Sequence, residues 1–274
     1  MAKRELPIGI FDSGVGGLTV YRALHERLPN EKFVYLGDTA RVPYGTKSLT
    51  TVERYAVENA RFLARHGIKL LVVACNTASA LALPAVRRAI EAPVIGVIEP
   101  GARAAVQSSP HGRIGVIATE ATVKSRAYTR AILQLAPRAE VLERACPLFV
   151  PLAEEGWADT EVARMVAEEY LRDLRLAEID TLVLGCTHYP LLRRTIQSVM
   201  GETVRIIESG EAVAEQVARL LEEEGLAHAP VEKRARSLCD DLDHFYVTDA
   251  AERFARVAER FLGRAPKVLE AVEI

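Results

Sequence analysis

The sequence predicts an α/β protein built as two similar parallel-sheet halves. Three observations carry that expectation. Short β-branched apolar runs alternate with longer segments of helical spacing along the chain. The runs are apolar at consecutive positions, as strands buried on both faces require, and parallel sheets are their usual setting. The landmarks of the first half also echo in the second. Ile8-Gly9-Ile10-Phe11-Asp12-Ser13 matches Ile114-Gly115-Val116-Ile117-Ala118-Thr119 in pattern, and Ala74-Cys75-Asn76-Thr77 matches Gly185-Cys186-Thr187-His188, at nearly the same separation.

Taken in order, the first strand, Ile8 to Phe11, ends in the glycine-rich turn Gly14-Val15-Gly16-Gly17. Leu18, Ala23, Leu24 and Leu28 then fall on one side of a helix over 18–28. A strand over 33–36 precedes a helix over 48–66. A strand over 70–74, a helix over 77–90 and a strand over 94–97 follow. Ile114 to Ile117 and Thr181 to Leu184 repeat the theme. No low-complexity linker separates the halves. Pro100-Gly101 marks the best boundary, and Ile207-Glu208-Ser209-Gly210 marks a second, beyond which the tail could join either half.

A chain of 274 residues with 49% hydrophobic and 26% charged content is long enough for two domains with real cores. A net charge of −2 offers no basic footprint for nucleic acid. The N-terminal segment has no apolar signal region, and the apolar runs are too short to span a membrane. The expected location is the cytoplasm, where thiols stay reduced, so the four cysteines are either packing residues or chemistry. Cys146 and Cys239 carry no visible chemistry and are expected to pack.

In open α/β sheets, ligands sit beyond the carboxyl ends of the strands. Four polar clusters end strands here: Asp12-Ser13, Cys75-Asn76-Thr77, Thr119 with Thr122, and Cys186-Thr187-His188. A single strand-end cysteine is ordinarily buried packing. Two at equivalent ends of two halves, each followed by a helix start that favours thiolate, point to paired chemistry. Zinc would need more ligands than Cys186 and His188 supply, and the CxxC spacing of thiol oxidoreductases is absent, so no metal is expected. Asp12 and His188 are natural proton partners for the thiols, although Asp12 could equally cap a turn and His188 could be a framework residue. The glycine turn lacks a nucleotide fingerprint and suits backbone amides approaching an anion such as a carboxylate. Tyr44-Gly45, after Pro43, suggests a loop that brings another backbone N–H and an aromatic wall. Glu154 and Glu155, before Gly156-Trp157, read by default as surface acids.

Together these residues resemble the glutamate racemase family over nearly the full length. The resemblance lies in Phe11-Asp12-Ser13-Gly14-Val15-Gly16-Gly17-Leu18, Gly37-Asp38-Thr39-Ala40-Arg41-Val42-Pro43-Tyr44-Gly45, Val73-Ala74-Cys75-Asn76-Thr77-Ala78-Ser79-Ala80 and Leu184-Gly185-Cys186-Thr187-His188-Tyr189-Pro190. It implies two facing α/β domains, the first formed by 1–99 with 208–274 and the second by 100–207. It implies no cofactor, glutamate held between the domains, a homodimer, and a role in supplying D-glutamate for peptidoglycan. It implies substrate contacts from Asp12, Ser13, Tyr44, Gly45, Asn76, Thr77, Thr119, Thr122, Thr187 and His188, and a supporting role for Glu154. Two positions depart from the family pattern: Ala121 stands where glycine is usual, and Glu208 where aspartate is common.

The chemistry so implied is a two-base racemisation. Cys186 takes the α-proton of L-glutamate, Cys75 delivers one to the opposite face, and the roles reverse for D-glutamate. Three other readings stay open on sequence: an aspartate racemase with the same thiols, a two-lobed anion-binding module, and a thiol redox protein.

Overall fold

A computed structural model describes residues 2–229 and 236–274. In chain order the first elements are β1 (Ile8–Asp12), α1 (Leu18–Arg27), β2 (Phe33–Gly37), α2 (Leu49–Arg65), β3 (Leu70–Val73), α3 (Asn76–Leu81), α4 (Leu83–Ala89) and β4 (Val94–Gly96). Then come α5 (Ile98–Ser108), β5 (Arg113–Ala118), α6 (Glu120–Ser125), α7 (Ala127–Leu135), β6 (Glu140–Ala145), α8 (Phe149–Glu154), α9 (Glu161–Leu176), β7 (Thr181–Gly185), α10 (Arg193–Met200) and β8 (Arg205–Glu208). The tail adds α11 (Ser209–Glu223), β9 (His244–Val247), α12 (Ala251–Leu262) and β10 (Leu269–Ala271).

The strands form two separate sheets, ordered β10-β9-β2-β1-β3-β4 and β6-β5-β7-β8, with every pairing parallel. This is the expected α/β class, and the cause is legible: β1, β2, β3 and β7 are buried at every position. Ile8 and Ile10 pack with α1 and α11 side chains on one face of the first sheet, and Phe11 packs with α2 on the other. In the second sheet Leu182 and Leu184 face the α9–α10 side, while Val183 faces α5 and α7. Cys146 and Cys239 lie inside these cores. Among the described residues no helix is long and apolar enough to cross a membrane.

Several elements differ from their sequence expectation. The helix expected over 77–90 is two, α3 and α4, broken at Ala82. Pro84 has no N–H and its ring would clash with the preceding turn, so it opens a new helix instead of continuing the old one. Strands β6, β8, β9 and β10 escape the sequence pattern. β6 carries Glu140, Glu143 and Arg144 on an edge of the second sheet, and β9 and β10 are short. Pro100-Gly101, the expected boundary, sits in the first turn of α5, where a missing proline N–H leaves no hydrogen bond unmade. The chain passes from the first sheet to the second along α5. It returns where β8 runs directly into α11, and α5 and α11 pack together at that seam.

Candidate active site

Four strand ends converge between the two sheets. From the first sheet, β1 ends at fully buried Asp12 and β3 leads to Cys75, which is 5% exposed. From the second, β5 leads to Thr119, β7 leads to Cys186 at 6% exposure, and His188 follows two residues later. The thiols are close enough for their charges to interact.

Cys75 caps the start of α3, where its Sγ accepts from the Ala78 N–H at 3.5 Å. A helix start was expected to favour thiolate, and here burial outweighs it. Burial first, and then the Asp12 charge, push the Cys75 thiol up to about 12, while the Ala78 amide and the Ser13 hydroxyl pull it down. Cys75 therefore rests as a neutral thiol. The environment of Cys186 is of the opposite sign. Its Sγ lies 3.9 Å from His188 Nδ1, and His188 Nε2 lies 3.1 Å from Glu154 Oε1. Burial alone would lower the His188 pKa, but hydrogen bonds with Cys186 and Glu154 raise it to about 10, so the ring is a cation at neutral pH. The bond to His188 holds the Glu154 carboxyl below its ordinary range.

The glycine turn meets a different anion from the one expected. Gly14 N–H donates to Asp12 Oδ2 at 3.0 Å, so the first carboxylate it serves is the chain's own. Gly16 and Gly17 permit close approach. A Cβ on Gly16 would stand 2.4 Å from His188 Nδ1 and from Thr187 Oγ1, and one on Gly17 would stand 2.4 Å from Asp12 Cβ. Thr187 Oγ1 reaches Asp12 Oδ1 at 3.4 Å, joining the two sheets across the cleft. A second bridge is the threonine cluster: Thr77 Oγ1 lies 2.9 Å from Thr119 Oγ1 and 3.2 Å from Thr122 Oγ1. Ala121, in place of the usual glycine, sits inside helical α6 and leaves this cluster intact. Glu208, in place of aspartate, accepts from Arg193 Nη1 at 2.7 Å.

Tyr44 is brought near the site but its hydroxyl is not. That group donates to Asp38 and accepts from Asn59 Nδ2 at 3.0 Å, and the ring is buried. Gly45 faces the second sheet, where a Cβ would meet Thr119 Cβ at 2.8 Å. Asp38 also accepts from Arg41 Nε at 2.9 Å and Thr248 Oγ1 at 3.0 Å, which pins the 38–45 loop to β9. Tyr44→Phe takes one hydrogen bond from each of two buried partners and is expected to cost about 1–3 kcal/mol in urea unfolding. An unchanged midpoint and slope would show that the loop is held by other contacts.

The residues 8–217 match the Asp/Glu/hydantoin racemase family. A glutamate racemase of Geobacter metallireducens is 55% identical over 93% of this chain and 92% of its own. The chain belongs to the glutamate racemase family. The likeness extends to solved structures of that family. A glutamate racemase isoform of Bacillus anthracis superposes with TM-score 0.91 at 39% identity, covering 98% of each chain. A glutamate racemase of Francisella tularensis in complex with D-glutamate gives 0.89 at 38%, again over 98% of both. As a glutamate racemase family member the chain is an isomerase, an amino-acid racemase.

Sequence reasoning missed Asp38, Tyr128 and Arg253. Asp38 directly follows the last residue of β2, next to the end of β1 at Asp12, so the same strand-end rule would have found it. Arg253 of α12 approaches Glu154 Oε2 at 3.4 Å, and Tyr128 of α7 bonds Asn76; neither contact leaves a local sequence signal.

Proposed function

We propose that the protein interconverts L- and D-glutamate by two-base proton transfer between Cys75 and Cys186. One observation carries the reading: two buried strand-end thiols approach from two sheets, one kept neutral and the other beside an imidazolium. A neutral thiol at about 12 suits a proton donor. A sulfur facing a cation suits a proton acceptor. Cys186, as the thiolate facing His188, accordingly takes the α-proton of L-glutamate and becomes a thiol while the electron pair stays on the substrate, and Glu154 holds the His188 ring in place. Cys75 gives its proton to the opposite face, and the thiols then exchange roles.

The α-proton of an amino acid is weakly acidic, so the site must stabilise the carbanion with oriented donors in a dry cleft. Backbone amides after Asp12, Tyr44, Cys75 and Cys186 are suited to the substrate carboxylates. So are the Asn76 amide and the hydroxyls of Ser13, Thr77, Thr119, Thr122 and Thr187. In the same reading residues 1–99 with 208–274 form one domain and 100–207 the other. The product feeds peptidoglycan synthesis in the cytoplasm, and the working form is a homodimer.

The deciding experiment is proton NMR of L-glutamate with the purified enzyme in D2O, with circular dichroism in parallel. Loss of the α-proton signal together with decay of optical activity to zero is expected. Exchange with aspartate but not glutamate would reassign the substrate to the shorter acid. Exchange with neither would replace racemisation by binding alone.

A further inference from the structure

We infer that Tyr128 is a positioning residue: from the second sheet's helix α7 it orients the Asn76 amide in the first sheet's cysteine cluster. Tyr128 Oη donates to Asn76 Oδ1 at 2.7 Å, and both residues are buried. This bond crosses between the halves. It also leaves the amide asymmetric: its oxygen is occupied, while Nδ2 is buried with no hydrogen-bond partner among the described residues. An unsatisfied buried N–H2 is costly, and such groups in folded proteins call for an explanation. Here the group stands between Cys75 and Thr77, where a substrate carboxylate would supply the acceptor it lacks.

The surroundings of Tyr128 are shaped to hold the ring in one place. Cβ atoms built on Gly101 and Gly185 would stand 3.2 Å from Tyr128 Oη and 3.0 Å from Tyr128 Cε2, so glycine at both positions makes room for the ring. Burial raises the Tyr128 pKa far above its ordinary value, so the hydroxyl remains a donor throughout the working range. An amide can turn over by half a rotation and present oxygen in place of nitrogen. Tyr128 opposes that rotation, because flipping would take Asn76 Oδ1 away from the phenol O–H and leave this buried proton without its acceptor. It does so only when α7 and α3 are together, so the donor is aimed correctly in the closed arrangement.

The inference rests on the proposal that Asn76 contacts substrate, and a mutant cycle separates the two. Tyr128→Phe keeps the ring and removes the bond. It is expected to lower kcat/KM about tenfold in both directions of the reaction. Asn76→Ala is expected to lower it at least as far, with Asn76→Ser as the substitute should the alanine variant fail to fold. In the Asn76→Ala background, Tyr128→Phe is expected to have no further effect. An equal tenfold loss in both backgrounds would mean that Tyr128 acts through packing alone, and would overturn the inference. So would full activity in Tyr128→Phe. Full activity in Asn76→Ala would remove the substrate contact and this inference with it, while leaving the cysteine variants to judge the two-thiol reading separately.

Discussion

Cys75→Ser and Cys186→Ser are each expected to lose racemisation by about a thousandfold or more, within the range that a positioned acid or base contributes. Serine matches the size of the thiol but not its capacity to ionise, so the cleft keeps its shape and loses one proton carrier. The two losses should differ in kind. With Cys186 intact, Cys75→Ser can still withdraw the α-proton of L-glutamate and return a deuteron to the same face. It is expected to wash deuterium into L-glutamate faster than it inverts it. Cys186→Ser is expected to do the same with D-glutamate. Because L- and D-glutamate are mirror images, the ratio of kcat/KM in the two directions must be one in every variant, which guards the measurement. Near-wild-type turnover in either variant would end the two-thiol mechanism.

His188→Asn should produce the second large effect, about a hundredfold in kcat with L-glutamate as substrate, because it removes the cation facing Cys186. A stability signature accompanies it. The His188 pKa rises from its ordinary 6.5 to about 10 on folding, so the folded protein holds a proton that the unfolded chain releases. That contribution is complete below pH 6.5 and is lost as pH climbs through about 10, at up to about 1.4 kcal/mol per pH unit. Cys75, raised from 9.0 to about 12, extends the decline above pH 9. Between pH 7 and 9 the melting temperature of the wild type should therefore fall with pH, and that of His188→Asn should stay nearly flat. Parallel slopes would mean that the ring is neutral in the fold.

The fold class was legible because burial on both faces leaves an uninterrupted apolar run, as in Leu70 to Val73. Strands at sheet edges lack that pressure, which is why the apolar pattern gives no strand over Glu140 to Ala145. The site was legible wherever chemistry sits at a strand end, as with Asp12, Cys75 and Cys186. The proton economy was not. The neutrality of Cys75 depends on how completely the halves bury it, and the charge on His188 depends on Glu154, which lies 34 positions earlier in the chain. Tyr44 shows the limit from the other side: its place in the motif was visible, but the direction of its hydroxyl depends on Asp38 and Asn59.

The double passage of the chain along α5 and through the β8–α11 seam restricts how the halves can part. A body held by one tether can swivel in any direction. One held by two tethers packed side by side turns about a single axis, as a door does on its hinges. In the proposed two-thiol reaction, any parting of the halves would carry each thiol along a fixed arc, and closure would return the pair to the same two faces of the α-carbon. Alignment of the reacting atoms, which would otherwise be searched for at each turnover, is carried by the covalent connectivity itself.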